Sequence, residues 1–133
     1  MRDAQFHNTS LSVRREMKRI LVVDDEKHIC ELYKMELEDE GYSVTLAHSG
    51  KDALKQVDGA PPDLIVLDIQ MPGMDGIETL EKLLGKDKGI PIILNTAYSH
   101  YKDDFTTWGA DAYVVKSSDT SKLKAEIKRL LSK

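Results

Sequence analysis

Cysteine is nearly missing from this chain. Cys30 is the only one, so no disulfide can close within it, and a reducing, cytoplasmic setting is the simpler expectation. Its natural role is that of a small apolar residue on a helix. Long hydrophobic runs are missing as well. Nothing approaches the roughly 20 apolar residues of a membrane span, and the leader "MRDAQFHNTSLSVRRE" has no apolar stretch of the secretory kind. There is no basic excess: the net charge is −4, which argues against a nucleic-acid or anionic-membrane face. Repeats, low-complexity tracts and a second domain are absent too.

What remains is ordinary in size and uneven in charge. A chain of 133 residues, 41% hydrophobic and 32% charged, suits one globular domain with a real core. Arg2, Arg14, Arg15 and Lys18 outweigh Asp3 and Glu16 near the start, so the rest of the chain is the acidic part. "MKRILVVDD" reads as a natural beginning at Met17. Residues 1–17 are therefore expected to be an extension or leader with little order, and residues 18–133 the domain.

From Arg19 onward short apolar runs alternate with longer amphipathic segments. "RILVV" (19–23), "SVTLA" (43–47), "DLIVL" (63–67), "PIILN" (91–95) and "AYVV" (112–115) predict five strands. Most are continuous apolar runs, which suits strands covered on both faces. Helices are predicted over 26–40, where Ile29, Leu32, Tyr33 and Leu37 share a stripe and Gly41 is a stop. Others are predicted over 50–57 and 77–85, more weakly over 99–107, and over 120–132 with Asp119 or Thr120 as cap. Such alternation predicts an α/β fold with a doubly wound parallel sheet, whose ligands bind beyond the carboxyl ends of the strands.

The strand ends carry the chemistry. "LVVDDE" runs apolar residues straight into Asp24, Asp25 and Glu26, although unpaired carboxylates resist burial. Asp68 follows the third strand, Thr96 the fourth and Lys116 the fifth. On neighbouring strands those tips are about 5 Å apart. Two carboxylates at that separation repel by about 3 kcal/mol at an effective dielectric near 20, so a cation is expected among them. With oxygen ligands only, Mg²⁺ is the natural candidate.

In that order, Asp24–Asp25, Asp68 in "LDIQMPGMDG", Thr96–Ala97, Tyr113 and Lys116 make the chain resemble a receiver domain of two-component response regulators, from about Arg19 to Lys133. The resemblance implies a flavodoxin-like strand order of 2-1-3-4-5. It implies that Asp68 accepts a phosphoryl group from a sensor histidine kinase or phosphotransfer protein. It places Mg²⁺ on Asp24, Asp25, Asp68 and the backbone carbonyl of Gln70. Thr96 and Lys116 would bind phosphoryl oxygens, and Tyr113 would follow Thr96 as a rotamer switch. The output surface would be the 99–107 helix, the fifth strand and the last helix, acting on an unknown partner without direct nucleic-acid or membrane binding. A signalling domain of this kind is no enzyme with a separate substrate.

Three rivals share some of these features. A Mg²⁺-dependent aspartyl-phosphate phosphatase would want a second acid where Gln70 stands. A degenerate receiver, acting only by interaction, would have lost an acid, Asp68 or Lys116. A flavin or nucleotide domain would want a glycine- or hydroxyl-rich loop where "DDEKH" stands. "MPGMDG" (71–76) is read as a turn at Pro72–Gly73 with Asp75 capping a helix. His28, His48 and His100 sit at no distinctive motif. The chain departs from the family at Lys116–Ser117, where proline is usual; a cis bond there would cost about 3–4 kcal/mol, so a trans bond is expected. Tyr98 is expected to shield a phosphoaspartate and slow its hydrolysis.

Overall fold

The structure is a computed structural model and describes residues 17–70, 76–86, 89–97, 106 and 108–132. Its elements are β1 (Arg19–Val23), α1 (Lys27–Asp39), β2 (Ser43–Ala47), α2 (Gly50–Gly59), β3 (Leu64–Leu67), α3 (Gly76–Lys86), β4 (Ile92–Thr96), β5 (Ala112–Val115) and α4 (Ser121–Leu131). The five strands form one parallel sheet in the order β2-β1-β3-β4-β5, as expected. The 99–107 helix, the Pro72–Gly73 turn, the Asp75 cap, Tyr98 and His100 lie outside the described residues.

The apolar runs explain the layering. β1, β3 and β4 are buried almost throughout, because each points alternate side chains into one of two cores. Ile20, Val22, Leu64, Val66 and Ile93 face α1 and α4, meeting Tyr33, Leu37, Leu123 and Ile127. Leu21, Val23, Ile65, Leu67 and Leu94 face the other way and meet Ala53 and Val57 of α2 and Leu80 and Leu83 of α3. Each fully buried Leu or Ile contributes roughly 2 kcal/mol.

Helix ends obey local rules. Gly41 takes φ +96° after α1; its N–H donates to Glu38 O and the Tyr42 N–H to Leu37 O, a paired closure that needs a left-handed residue. Ser49 caps α2 by accepting the Asp52 N–H at 3.1 Å. At α4, Thr120 occupies the cap position, but the oxygen comes from Asp119, whose Oδ1 accepts the Ser121 N–H at 3.0 Å. Burial draws Thr120 Oγ1 instead to Glu36 Oε1, 3.0 Å away on α1. β4 starts one residue later than expected and reaches Thr96, since Pro91 has no N–H for a ladder. The peptide bonds of the described residues are all trans, Lys116–Ser117 included.

Candidate functional site

Two aspartates are set by one device used twice. Asp24 continues the ladder past β1, donating its N–H to Ala47 O at 3.0 Å, and its Oδ1 accepts the Glu26 N–H at 2.9 Å. Asp68 does the same past β3: its N–H donates to Val23 O at 2.9 Å and its Oδ1 accepts the Gln70 N–H at 3.0 Å. Each side chain thus folds back on the chain two residues ahead, a turn that short carboxylates favour. Each has its other oxygen, Oδ2, turned to the same place.

That place holds the Lys116 ammonium. Nζ lies 2.8 Å from Asp24 Oδ2, 3.1 Å from Asp68 Oδ2 and 3.1 Å from Glu26 Oε1. Three acceptors match the three N–H bonds of an ammonium. The Lys116 N–H donates to Thr96 O at 2.7 Å, which ties the lysine to the end of β4.

Charge is not balanced. Asp24 and Asp68 are only 2% and 3% exposed, and Asp25 beside them is exposed. One carboxylate oxygen from each of Asp24, Asp25 and Asp68 lies within 4.8 Å of the others. Burial pushes both the Asp24 and the Asp68 carboxyls above their ordinary range, against the pull of Lys116 and of the backbone amides of Glu26 and Gln70. Burial also works against charge on Lys116, but its hydrogen bonds and attraction to Asp24 and Asp68 win and hold its pKa above the ordinary value. Three acids pair with one ammonium, and Asp25 joins Asp24 and Asp68 in a cluster of hard oxygens that suits a divalent hard cation such as Mg²⁺.

Gly76 lets the chain pass close to this centre. A Cβ there would lie 2.0 Å from Ile69 Cα and 2.8 Å from Asp68 O, so only glycine fits where α3 begins against the Asp68 loop.

Of the residues singled out in the sequence, Asp24, Asp25, Asp68 and Lys116 come together directly. Gln70 joins through its N–H. Thr96 is buried at the adjacent tip of β4. Tyr113 is half-buried, pairs in register with Leu94 and packs on the core shared with α2 and α3; alternation puts Thr96 on that same face. His28 is exposed, but His48 reaches the site: its Nδ1 lies 3.2 Å from Asp24 O. Cys30 is buried beneath it with Sγ 3.2 Å from the same carbonyl. Burial, with the Asp24 charge, pushes the thiol up to about 11, which fits an inert packing role.

The sequence places Glu26 among the strand-tip acids and Tyr33 on an apolar helix stripe, but it points to neither residue's partner and does not single out Asn95. Glu26 pairs with Lys116. Tyr33 Oη donates to Asn95 Oδ1 at 2.7 Å, and Asn95 Nδ2 donates to Val114 O at 3.0 Å. The available signal was an amide inside the apolar run "IILNT": a polar group in a central strand must find partners.

Comparison with known proteins agrees with this geometry. Residues 20–128 match the response regulator receiver domain. The chain is 39% identical over 115 residues to the transcriptional regulatory protein TrcR of Mycobacterium tuberculosis, covering 85% of this chain and 45% of TrcR. It is 40% identical over 116 residues to the alkaline phosphatase synthesis transcriptional regulatory protein PhoP of Bacillus subtilis, covering 86% of this chain and 48% of PhoP. It spans about half the length of these curated relatives. Among solved structures, response regulator TrrA of Thermotoga maritima, in complex with Mg²⁺-BeF, is 51% identical with a TM-score of 0.81, covering 86% of this chain and 99% of TrrA. TrrA in complex with the histidine kinase ThkA gives the same identity and coverage and a TM-score of 0.80. With its sheet order and its strand-tip acids, this chain belongs to the response regulator receiver domain family.

Proposed function

We propose that Asp68 is the phosphoacceptor, taking a phosphoryl group from the phosphohistidine of a sensor kinase or phosphotransfer protein. A carboxylate oxygen of Asp68 forms the new O–P bond as the P–N bond of the donor breaks, and the departing imidazole takes up a proton. The observation that carries this reading is the Asp68 carboxylate itself, buried at a strand tip with its Oδ2 3.1 Å from the Lys116 ammonium.

Asp24, Asp25, Asp68 and the backbone carbonyl of Gln70 would hold Mg²⁺. When bound, the ion supplies the positive charge that these acids lack and that phosphoryl oxygens need. Lys116 neutralises part of the cluster and turns to a phosphoryl oxygen when one is present. Thr96 donates a hydrogen bond to another, and Tyr113, on the same sheet face, follows it. The switch is a population shift, biased only by contacts that differ between the two packings. Its readout is the surface of β5, α4 and the 99–107 segment. Curated relatives of about twice this length are transcriptional regulators, which supports a regulatory output reached through that surface. The domain acts in the cytoplasm, where its single reduced cysteine is at home.

The test is intact-mass spectrometry after incubation with Mg²⁺ and acetyl phosphate. Wild type gains one phosphoryl group only with Mg²⁺, and Asp68→Asn gains none. Failure of wild type to gain it, with Mg²⁺ binding shown separately, would reduce the domain to an interaction module.

A further inference from the structure

Asn95 stands in a row with the acids. The register pairs Val23 with Leu67 and Leu67 with Leu94, so the next residues, Asp24, Asp68 and Asn95, are level across β1, β3 and β4. Val22, Val66 and Ile93 face α1 and α4, and two residues on, the row faces the same way. Asn95 is 2% exposed, as is Tyr33. Its amide is oriented by Tyr33 Oη at 2.7 Å on one atom and by Val114 O at 3.0 Å on the other.

Packing alone does not call for this amide. Its neighbours Ile93 and Leu94 are fully buried hydrocarbon, and a buried amide is unfavourable unless both ends are satisfied. What the amide adds is direction. It ties α1 to β4 one residue before Thr96, and β4 to β5 at Val114, two residues before Lys116, whose N–H donates to Thr96 O at 2.7 Å. We infer that Tyr33 and Asn95 are positioning residues for phosphoryl transfer, fixing the tips of β4 and β5 so that Thr96 and Lys116 stand correctly relative to Asp68; the inference rests on the reading of Asp68 as phosphoacceptor.

A purely structural polar pair predicts something different, and a double variant separates the two. Tyr33→Phe and Asn95→Leu each orphan a buried polar partner and lower the urea midpoint. Together they remove both ends of the Tyr33–Asn95 bond and recover most of that midpoint. Two readouts are then compared with wild type: hydrogen exchange of the Lys116 amide, and the rate of Mg²⁺-dependent phosphorylation by acetyl phosphate. If the pair positions the site, the double variant regains stability while its Lys116 amide exchanges about tenfold faster and phosphorylation stays about tenfold slower. Recovery of the rate along with stability, whatever the amide does, overturns the inference, and so does an unchanged amide. If wild type takes no phosphoryl group while the double variant's Lys116 amide still exchanges faster, the phosphoacceptor reading falls and the tie on Lys116 stands.

Discussion

The two ends of the sheet use aspartate in the same bond and to opposite effect. At the amino ends of the strands, Asp63 precedes β3 and its Oδ2 accepts the Arg19 N–H at 2.7 Å, while its own N–H donates to Arg19 O. Asp111 precedes β5 and repeats the pattern with Ile92, 2.9 Å through its Oδ2. Both are exposed. At the carboxyl ends Asp24 and Asp68 also accept a backbone N–H, but they are buried together around one ammonium. An aspartate satisfied by an amide and open to water is a clamp. The same aspartate, buried beside another without matching charge, is a place for a cation.

The largest way to break this contrast is to disturb the crowded end. Gly76→Ala drives a Cβ into the Ile69 backbone and should cost about 3 kcal/mol, read by urea unfolding. Lys116→Ala leaves two buried carboxylates without their counter-charge and should cost a similar amount, about 3 kcal/mol, in metal-free buffer. Relative to wild type in the same buffer, saturating Mg²⁺ should recover much of the second loss and none of the first. Equal recovery in both variants would mean that the metal does not answer the charge of the cluster.

Mg²⁺ itself gives the next effect. At a hundred times its Kd it should raise wild-type stability by about 2.7 kcal/mol, and Asp24→Asn/Asp68→Asn should lose that gain while being more stable than wild type without metal. The pH dependence has the same origin. Both carboxyls have folded pKa values above the ordinary 3.8, so the folded state holds these protons more tightly than the unfolded one. Their contribution is fully present below that ordinary value and is lost as pH rises through the folded ones. Metal-free wild type, measured against the double variant, should therefore be relatively more stable near pH 4 than at pH 7. The opposite slope would show that Lys116 alone compensates both acids.

How much of this was legible in the sequence depended on whether a residue's partner was local. Five apolar runs became five strands, with β3 shortened by one residue at its start and β4 shifted by one to Ile92–Thr96. Gly41 marked the end of α1 because a left-handed turn leaves a residue-type signature. Asp24, Asp68 and Lys116 could be grouped because strand order alone brings tips together. Glu26 stands among those acids in the sequence, but its bond to Lys116, ninety positions away, depends on how α1 enters over the sheet. Tyr33 read as one more apolar position in a helical stripe, and nothing local to it announces an amide on β4. Asp119 and Thr120 are equal candidates for the α4 cap by type, and only the tertiary contact decides: Glu36 takes the Thr120 hydroxyl, leaving Asp119 to cap.

The smallest expected effects sharpen the contrast from the other end. Asp63→Ala removes the acceptor of the Arg19 N–H, and Asp111→Ala that of the Ile92 N–H. Each group can turn partly to water, so each substitution should cost about 1 kcal/mol. The two sites share no partner, and their effects should add. Neither should alter Mg²⁺ affinity by calorimetric titration, because both aspartates lie at the opposite end of the strands from the cluster. A change in Mg²⁺ affinity on Asp63→Ala would mean that the start of β1 is coupled to Asp24 through the strand, and that the two ends are not independent uses of one residue type.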